Sequence, residues 1–299
     1  MKRWIPLFAL LLLGLAACGD KEPVVTIHTS FGDMKVVLFN QTPQHKESFL
    51  RLADAGEYDS TIFHRVINNF MIQGGDIARV KSDAPDIEIP FEYVPEFYHK
   101  KGALAGARIG ERGNPARNSG AQWYIVLGQS YPEEDAIRAN ERMQVQSLNI
   151  LLGMLFQKTE YQDLQRKLQD LQAGLSSEEF RDRMFTDPEL VAAIEKEFGK
   201  AVPKVDYTEE QLATYAEVGG TPHLDGGYTV FGQVIEGLDV IDKIAAVETH
   251  RQAQYPKITP DQPKEDIKIW MTVELMSLKD IEKEYGYIFP MTGEEEVVQ

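Results

Sequence analysis

The sequence predicts a mainly β fold that is interrupted by a long helical insertion. Two observations predict this class. Short runs of β-branched and aromatic residues recur between turn signals, whereas residues 131–218 repeat leucine at three- and four-residue spacing. The net charge of the 299 residues is −16, with 26% charged residues, as in a folded protein with an acidic surface. Such a surface disfavours nucleic acid as a partner, because phosphate binding needs a basic footprint.

The amino terminus has the composition of a secretory signal peptide. Two basic residues precede an apolar run, residues 5–15, and the run ends just before Cys18. Residues 15–18 resemble a bacterial lipobox, which implies removal of residues 1–17 and lipid attachment to the Cys18 thiol; the alternative is a plain secretory signal. We therefore expect a lipid-anchored protein of the cell envelope, either facing the periplasm or attached to the outer membrane as a lipoprotein, where surface exposure is an option; the sequence does not decide the membrane side. Cys18 is the only cysteine, so an intramolecular disulfide is excluded.

The first predicted elements after a short polar tether, residues 19–22, are a hairpin and a helix. Residues 24–28 and 34–39 are β-rich runs that flank a turn containing Gly32-Asp33. Thr42 followed by proline predicts the N-cap of a helix, which Gly56 should end.

A second hairpin is predicted from strands at residues 62–67 and 70–73, joined by an Asn-Asn turn. It carries a single cation, Arg65. Two apolar side chains and an amide should surround this cation: Phe70, Met71 and Gln73. A guanidinium out of water is costly unless it is paired or held for chemistry. The arrangement therefore suits a pocket for an apolar ring with a hydrogen-bond donor at its edge.

This hairpin contains FHRVINNFMIQGGD, residues 63–76, which resembles the signature of the cyclophilins, the peptidyl-prolyl cis-trans isomerases. Residues 118–125 and 224–232 resemble two further segments of that family. The resemblance implies a closed antiparallel β-barrel of about eight strands, capped by two helices and formed from residues 23–130 and 219–278. The second cap would be residues 238–245.

The remaining loops and strands of this domain are predicted from turn signals, from residue alternation and from the resemblance. Residues 82–98, which proline punctuates, and residues 110–117 should be loops, and residues 101–107 and 267–275 should be strands. The sequence departs from the family pattern at three positions. Arg108 replaces an asparagine, His223 replaces a frequent tryptophan, and Tyr228 replaces the histidine that faces the proline pocket.

The insertion, residues 131–218, is predicted to be helical. Residues 133–173 should form one long helix or two in tandem, and further helices should begin after Ser176, Asp187 and Thr208. Two interpretations of the leucine stripe stay open: it packs on itself, or it stays exposed and holds an unfolded client or partner. Residues 279–299 are charged and predicted to be a loose tail.

The resemblance also implies the roles of individual residues. Arg65 would be catalytic, stabilising the twisted prolyl amide. Eight further residues would bind the substrate: Phe70, Met71, Gln73, Ala107, Gln122, Tyr124, Leu224 and Tyr228. The histidine spacing does not suggest zinc and no phosphate-binding loop is present, so neither a metal nor a cofactor is predicted.

The sequence therefore predicts a peptidyl-prolyl cis-trans isomerase that acts on proline-containing polypeptides and assists the folding of exported proteins. The alternative is a non-catalytic, chaperone-like module that uses the groove of the barrel and the helical insertion to hold a partner.

Overall fold

The computed structural model describes residues 21–82, 84, 87–108, 117–199, 202–250 and 261–290. Four predictions lie outside these residues: the signal peptide, lipidation of Cys18, most of the loop at 110–117, and the end of the tail from residue 291 onward.

The described residues form a single antiparallel sheet of nine strands. These are β1 (Lys21–Thr29), β2 (Gly32–Leu38), β3 (Arg65–Ile67), β4 (Met71–Gly74), β5 (Glu88–Pro90), β6 (Ala103–Arg108), β7 (Arg117–Val126), β8 (Val230–Glu236) and β9 (Trp270–Ser277). Their spatial order is β3-β4-β7-β6-β8-β2-β1-β9, and β5 pairs with β7. The prediction of a mainly β, antiparallel fold is confirmed.

In the described part of the chain, no ladder of paired strands joins the two ends of this sheet, β3 and β9. The segments that precede them do meet. Ile62 and Lys268 form an isolated bridge, the Ile269 amide donates to the Thr61 carbonyl at 2.8 Å, and the Phe63 amide donates to the Ile267 carbonyl at 3.1 Å. The closed barrel therefore stays a prediction.

Two helices, α1 (Pro43–Asp54) and, late in the chain, α7 (Leu238–Ala245), pack on the core enclosed by the sheet. Both agree with the predicted helices. Thr42 is the N-cap residue of α1 and Pro43 follows it, as predicted, but the Thr42 hydroxyl donates to the Phe39 carbonyl at 3.3 Å and makes no capping bond to the helix. The carboxylate of Glu92 caps the helix, accepting from the amides of Gln44 (3.1 Å) and His45 (3.0 Å). A carboxylate there also suits the positive end of the helix dipole.

The described part of the insertion, residues 131–199 and 202–218, forms five α-helices: α2 (Glu133–Leu155), α3 (Gln162–Gly174), α4 (Ser177–Thr186), α5 (Pro188–Phe198) and α6 (Glu209–Glu217). The predicted 133–173 segment is thus two helices in tandem. Capping boxes at Ser176 and Thr208 begin α4 and α6, as the sequence indicates. Most of the leucine stripe packs on itself, since six of its seven members share one buried cluster: Leu148, Leu151, Leu152, Leu155, Leu164 and Leu168. The seventh, Leu171, is partly exposed and lies outside that cluster.

Four sequence predictions need correction. The second hairpin is shorter than residues 62–73, because its first strand begins only at Arg65. The predicted loop 82–98 contains β5. The tether ends earlier than expected, since Lys21 already pairs with Ser277. The tail begins with a helix, α8 (Leu278–Tyr285), which Ser277 caps and Ile281 anchors. Among the described residues, every helix is too short or too polar to cross a membrane.

Candidate active site

Three side chains of the neighbouring strands β3, β4 and β7 form a hydrogen-bonded row. The strand register places Arg65 opposite Gln73 and Gln73 opposite Tyr124. Nη1 of Arg65 donates to Oε1 of Gln73 at 3.4 Å, and Nε2 of Gln73 donates to Oε1 of Gln122 at 3.2 Å. A side-chain amide can accept from one neighbour and donate to the other, so Gln73 helps to orient the side chains of both Arg65 and Gln122.

Arg65 is held from three sides but is not enclosed. Besides Gln73, its guanidinium lies 5.8 Å from the centre of the Phe70 ring, and its Nε lies 3.8 Å from the carboxylate of Asp261. The side chain keeps 41% of its surface exposed. A cation that is oriented and still reachable can act as a hydrogen-bond donor to a bound group.

An apolar cluster extends from this row. Met71, Ala107, Tyr124 and Leu224 are buried in it, and Phe70 and Tyr228 pack against it while partly exposed. The Tyr124 and Tyr228 rings meet edge to face with centres 6.0 Å apart. The structure therefore brings all nine predicted site residues together, from β3, β4, β6, β7 and the turn before β8.

The Gly-Gly-Asp turn explains why the hairpin motif needs glycine at its end. Gly75 has a φ of +79°, and a Cβ there would lie 2.5 Å from the Ala121 carbonyl oxygen and 2.7 Å from Nε1 of Trp123. Neither the backbone angle nor the space admits a side chain. This close approach keeps β4 against β7, and so keeps Gln73 within reach of Gln122.

Sequence reasoning missed a polar pair behind the cluster. His99 is fully buried, its Nε2 lies 2.9 Å from the Tyr124 hydroxyl, and its Nδ1 lies 2.6 Å from Oδ1 of Asp225. The sequence marks Asp225 only as part of an Asp-Gly-Gly turn, and the spacing of the histidines, His99 included, does not indicate a metal site. The signal was weak, because no spacing along the chain relates His99 to Asp225.

The residues at two of the departures from the family pattern cover the cluster. The guanidinium of Arg108 lies 4.2 Å above the Tyr228 ring, and burial lowers the pKa of Arg108. His223 stacks on Phe70, with ring centres 5.5 Å apart and an angle of 23°. Burial also lowers the pKa of His223, which favours the neutral ring.

Comparison with known proteins identifies the family of the chain. The family model of the cyclophilin type peptidyl-prolyl cis-trans isomerases matches residues 24–143 and 208–273, more than half of the chain. A Staphylococcus saprophyticus protein assigned as a peptidyl-prolyl cis-trans isomerase is 29% identical over 84% of this chain and 91% of its own length.

A Streptococcus pyogenes protein assigned as a bifunctional phosphatase/peptidyl-prolyl cis-trans isomerase is 32% identical over 83% of this chain. The chain spans only 37% of the length of that relative. Among solved structures, a Cryptosporidium parvum cyclophilin type peptidyl-prolyl cis-trans isomerase, crystallised in the presence of the dipeptide Ala-Pro, is 18% identical with a TM-score of 0.46. That match covers 84% of this chain and 98% of the other.

Proposed function

The chain belongs to the cyclophilin-type peptidyl-prolyl cis-trans isomerases, and we propose that it catalyses X–Pro exchange through Arg65 without a covalent intermediate. Its substrates are proline-containing peptides and polypeptides. The observation that carries the assignment of Arg65 is the row Arg65–Gln73–Gln122, which presents one oriented donor at the edge of an apolar cluster.

The reaction itself explains why so few groups are needed. Rotation about a peptide bond is slow because resonance gives the C–N bond double-bond character, with a barrier of about 18–20 kcal/mol. In the twisted transition state that resonance is lost, and the prolyl nitrogen gains a lone pair that can accept a hydrogen bond. A donor that meets this nitrogen only in the twisted state lowers the barrier without stabilising the planar ground state. Arg65 supplies that donor.

The remaining site residues hold the substrate. The pyrrolidine ring packs against Met71, Tyr124 and Leu224, with Phe70 and Tyr228 at the margin. Gln122 accepts a hydrogen bond from Gln73, and it offers further hydrogen bonds to the substrate backbone. The small Ala107 leaves space for that backbone to approach β6.

The test of this function is the cis–trans exchange rate of a short X–Pro peptide, measured by NMR exchange spectroscopy. The wild type should accelerate exchange, and Arg65→Ala should reduce kcat/KM about hundredfold, because it removes one preorganised donor. Arg51→Ala, on the exposed face of α1, is the matched control and should keep full activity. A wild type that binds the peptide and shifts its resonances without accelerating exchange would establish the non-catalytic binding module instead.

We further propose that the sheet closes into a barrel through residues 60–63 and 267–269. Support comes from the bridge between Ile62 and Lys268 and from three backbone hydrogen bonds across this seam. Slow hydrogen exchange at the amides of Ser60, Phe63 and Ile269 is expected. Exchange there as fast as in a free loop would refute the closure.

We propose a lipid-anchored location in the cell envelope, where the enzyme assists the folding of exported proteins. The support lies in the sequence alone: a basic start, an apolar run and the lipobox-like residues 15–18. Wild-type protein should partition with membranes and incorporate labelled palmitate, and Cys18→Ala should do neither. Unlabelled wild-type protein in the soluble fraction would refute the anchor.

A further inference from the structure

The turn that carries one wall of the apolar cluster follows directly after the insertion. A single 3-10 turn, Pro222–Leu224, presents His223 to Phe70 and Leu224 to the cluster, and Asp225 ends it. Its position relative to Met71 and Tyr124 decides the shape of the cluster. What holds this turn in place therefore also shapes the binding site.

Helix α2 of the insertion holds the backbone of the turn at both ends. Nδ2 of Asn140 donates to the carbonyl of Pro222 at 2.8 Å and to the carbonyl of Asp225 at 3.0 Å. Asn140 is only 2% exposed. Because these bonds are shielded from water, loss of the amide would leave two buried carbonyls without this partner.

Two tyrosines of the insertion hold the carboxylate of Asp225. The Tyr215 hydroxyl, on α6, donates to Oδ2 at 2.5 Å, and the Tyr207 hydroxyl, just before α6, lies 2.8 Å from the same oxygen. Burial raises the pKa of Tyr215 well above its ordinary value, so this hydroxyl keeps its proton and remains a donor. Asp225 itself is 3% exposed, and its charge is therefore held by fixed hydrogen bonds in place of water.

The other oxygen of the same carboxylate faces the binding site. Oδ1 accepts from the backbone amide of His99 at 2.8 Å and lies 2.6 Å from Nδ1 of that residue. In the tautomer that suits this contact, Nδ1 donates to the carboxylate oxygen. In the neutral imidazole, Nε2 then accepts from the Tyr124 hydroxyl at 2.9 Å. A continuous chain of hydrogen bonds thus runs from α6 to the ring of Tyr124.

We propose that Asn140, Tyr207 and Tyr215 are positioning residues for the isomerase reaction, through which the helical insertion sets the Pro222–Leu224 turn and the Tyr124 ring. The inference rests on the proposed function of the site. It makes the insertion a structural part of the active site and not only an appended module. It acts through geometry, because none of the three residues belongs to the apolar cluster that would hold the proline ring.

The test compares hydroxyl deletions in the full-length protein. The double variant Tyr207→Phe/Tyr215→Phe removes both hydroxyls that lie beside Oδ2 of Asp225 and keeps both rings; it also removes the contact of the Tyr207 hydroxyl with the Pro222 carbonyl at 3.0 Å. We expect kcat/KM for a short X–Pro peptide to fall about tenfold, because a small displacement of binding groups has a large effect on rate. The ring nitrogens of His99 should also change their ¹⁵N shifts. Tyr207→Phe alone leaves Tyr215 on the carboxylate and should give a smaller loss of the same kind.

Tyr161→Phe is the matched control. Its hydroxyl also donates to a carboxylate, Glu197 at 2.7 Å, but within the insertion's own core. It should leave kcat/KM and the His99 signals unchanged. If the wild type is active and the folded double variant has the same kcat/KM, the positioning role is overturned and the proposed function stays intact. The same conclusion follows if Tyr161→Phe loses as much kcat/KM as the double variant. A wild type without exchange activity would overturn the proposed function itself, and with it this inference.

Discussion

Nη1 of Arg65 lies 3.4 Å from Oε1 of Gln73, its direct partner across the β3–β4 pair. The same glutamine donates to Gln122 on the other side. Arg65 keeps much of its surface exposed, so packing alone does not fix the direction of its guanidinium. Of the three neighbours of Arg65, Gln73 is the one that accepts a hydrogen bond from the guanidinium, and we expect it to contribute most to the orientation of this side chain.

Gln73→Met keeps the length of the side chain and removes both hydrogen bonds. We expect kcat to fall about tenfold, because the aim of Arg65 is lost, with a smaller change in KM. Exchange rates over a range of peptide concentrations separate the two constants. Gln162→Met, at an exposed position of α3, should behave as the wild type. An unchanged kcat in Gln73→Met would show that Arg65 orients itself.

The sequence predicts which residues form the row Arg65–Gln73–Gln122 and the apolar cluster, because these residues lie within short motifs on neighbouring strands. A strand pair places residues opposite each other by register, so a local pattern such as residues 63–76 predicts spatial contact. The leucine spacing of the insertion was informative for the same reason, since helical periodicity is local.

The contacts of the insertion with the turn could not be predicted in this way. Asn140, Tyr207 and Asp225 are far apart in sequence and meet only when α2 and α6 dock against the turn. The helix α8 was missed because its residues are mostly charged. Only Ile281 is buried, and one apolar residue in a polar segment gives no periodic signal.

Arg108 is predicted to shape the binding site while contributing little to the free energy of unfolding. Its guanidinium is desolvated and contacts the Tyr228 ring, and no acidic partner is found for it among the described residues. Arg108→Met should change the free energy of unfolding by less than about 1 kcal/mol, because the lost cation–π contact is offset by relief of the desolvation. KM should rise about threefold as Tyr228 becomes less restrained.

Denaturant unfolding and peptide kinetics on the same Arg108→Met sample measure both quantities. Arg108→Ala, which also removes the packing of the side chain, should be less stable than Arg108→Met. A loss of several kcal/mol in the methionine variant would show that the charge itself stabilises the fold.

His64 is predicted to make stability depend on pH in the mildly acidic range. Its pKa is lowered to about 4, chiefly by burial; Asp76 raises this pKa, and Arg79 and Arg65 lower it further. The unfolded chain therefore binds a proton that the folded chain does not bind between pH 6.5 and about 4. The free energy of unfolding should keep its full value above pH 6.5. It should fall by up to about 3 kcal/mol as the pH drops to about 4.

This pH dependence is checked by measuring the urea midpoint of unfolding between pH 7 and 4 for the wild type and for His64→Gln. The change with pH in the difference between the two midpoints is the contribution of His64. The glutamine variant should lose less stability on acidification, because it cannot titrate. His250→Gln, at a partly exposed position, should follow the wild-type curve. Parallel curves for wild type and His64→Gln would show that other groups cause the acid sensitivity.

Helix α8 is predicted to belong to the fold although most of its residues are charged. Ile281 is fully buried between Val24 and Val37, on the outer face of β1 and β2, and the hydroxyl of Ser277 caps the helix. Ile281→Ala removes buried apolar volume at a site that the strands keep from collapsing. The free energy of unfolding should therefore fall by about 2–4 kcal/mol.

Leu278→Ala is the control for Ile281→Ala, since Leu278 lies in the same helix but is 46% exposed. Leu278→Ala should lower the free energy of unfolding by less than about 1 kcal/mol. Both values come from denaturant midpoints, and the slope m should match the wild type in each case. If Ile281→Ala cost no more than Leu278→Ala, α8 would not be anchored on the sheet. A drop in m confined to Ile281→Ala would instead mean that the helix unfolds separately, before β1 and β2.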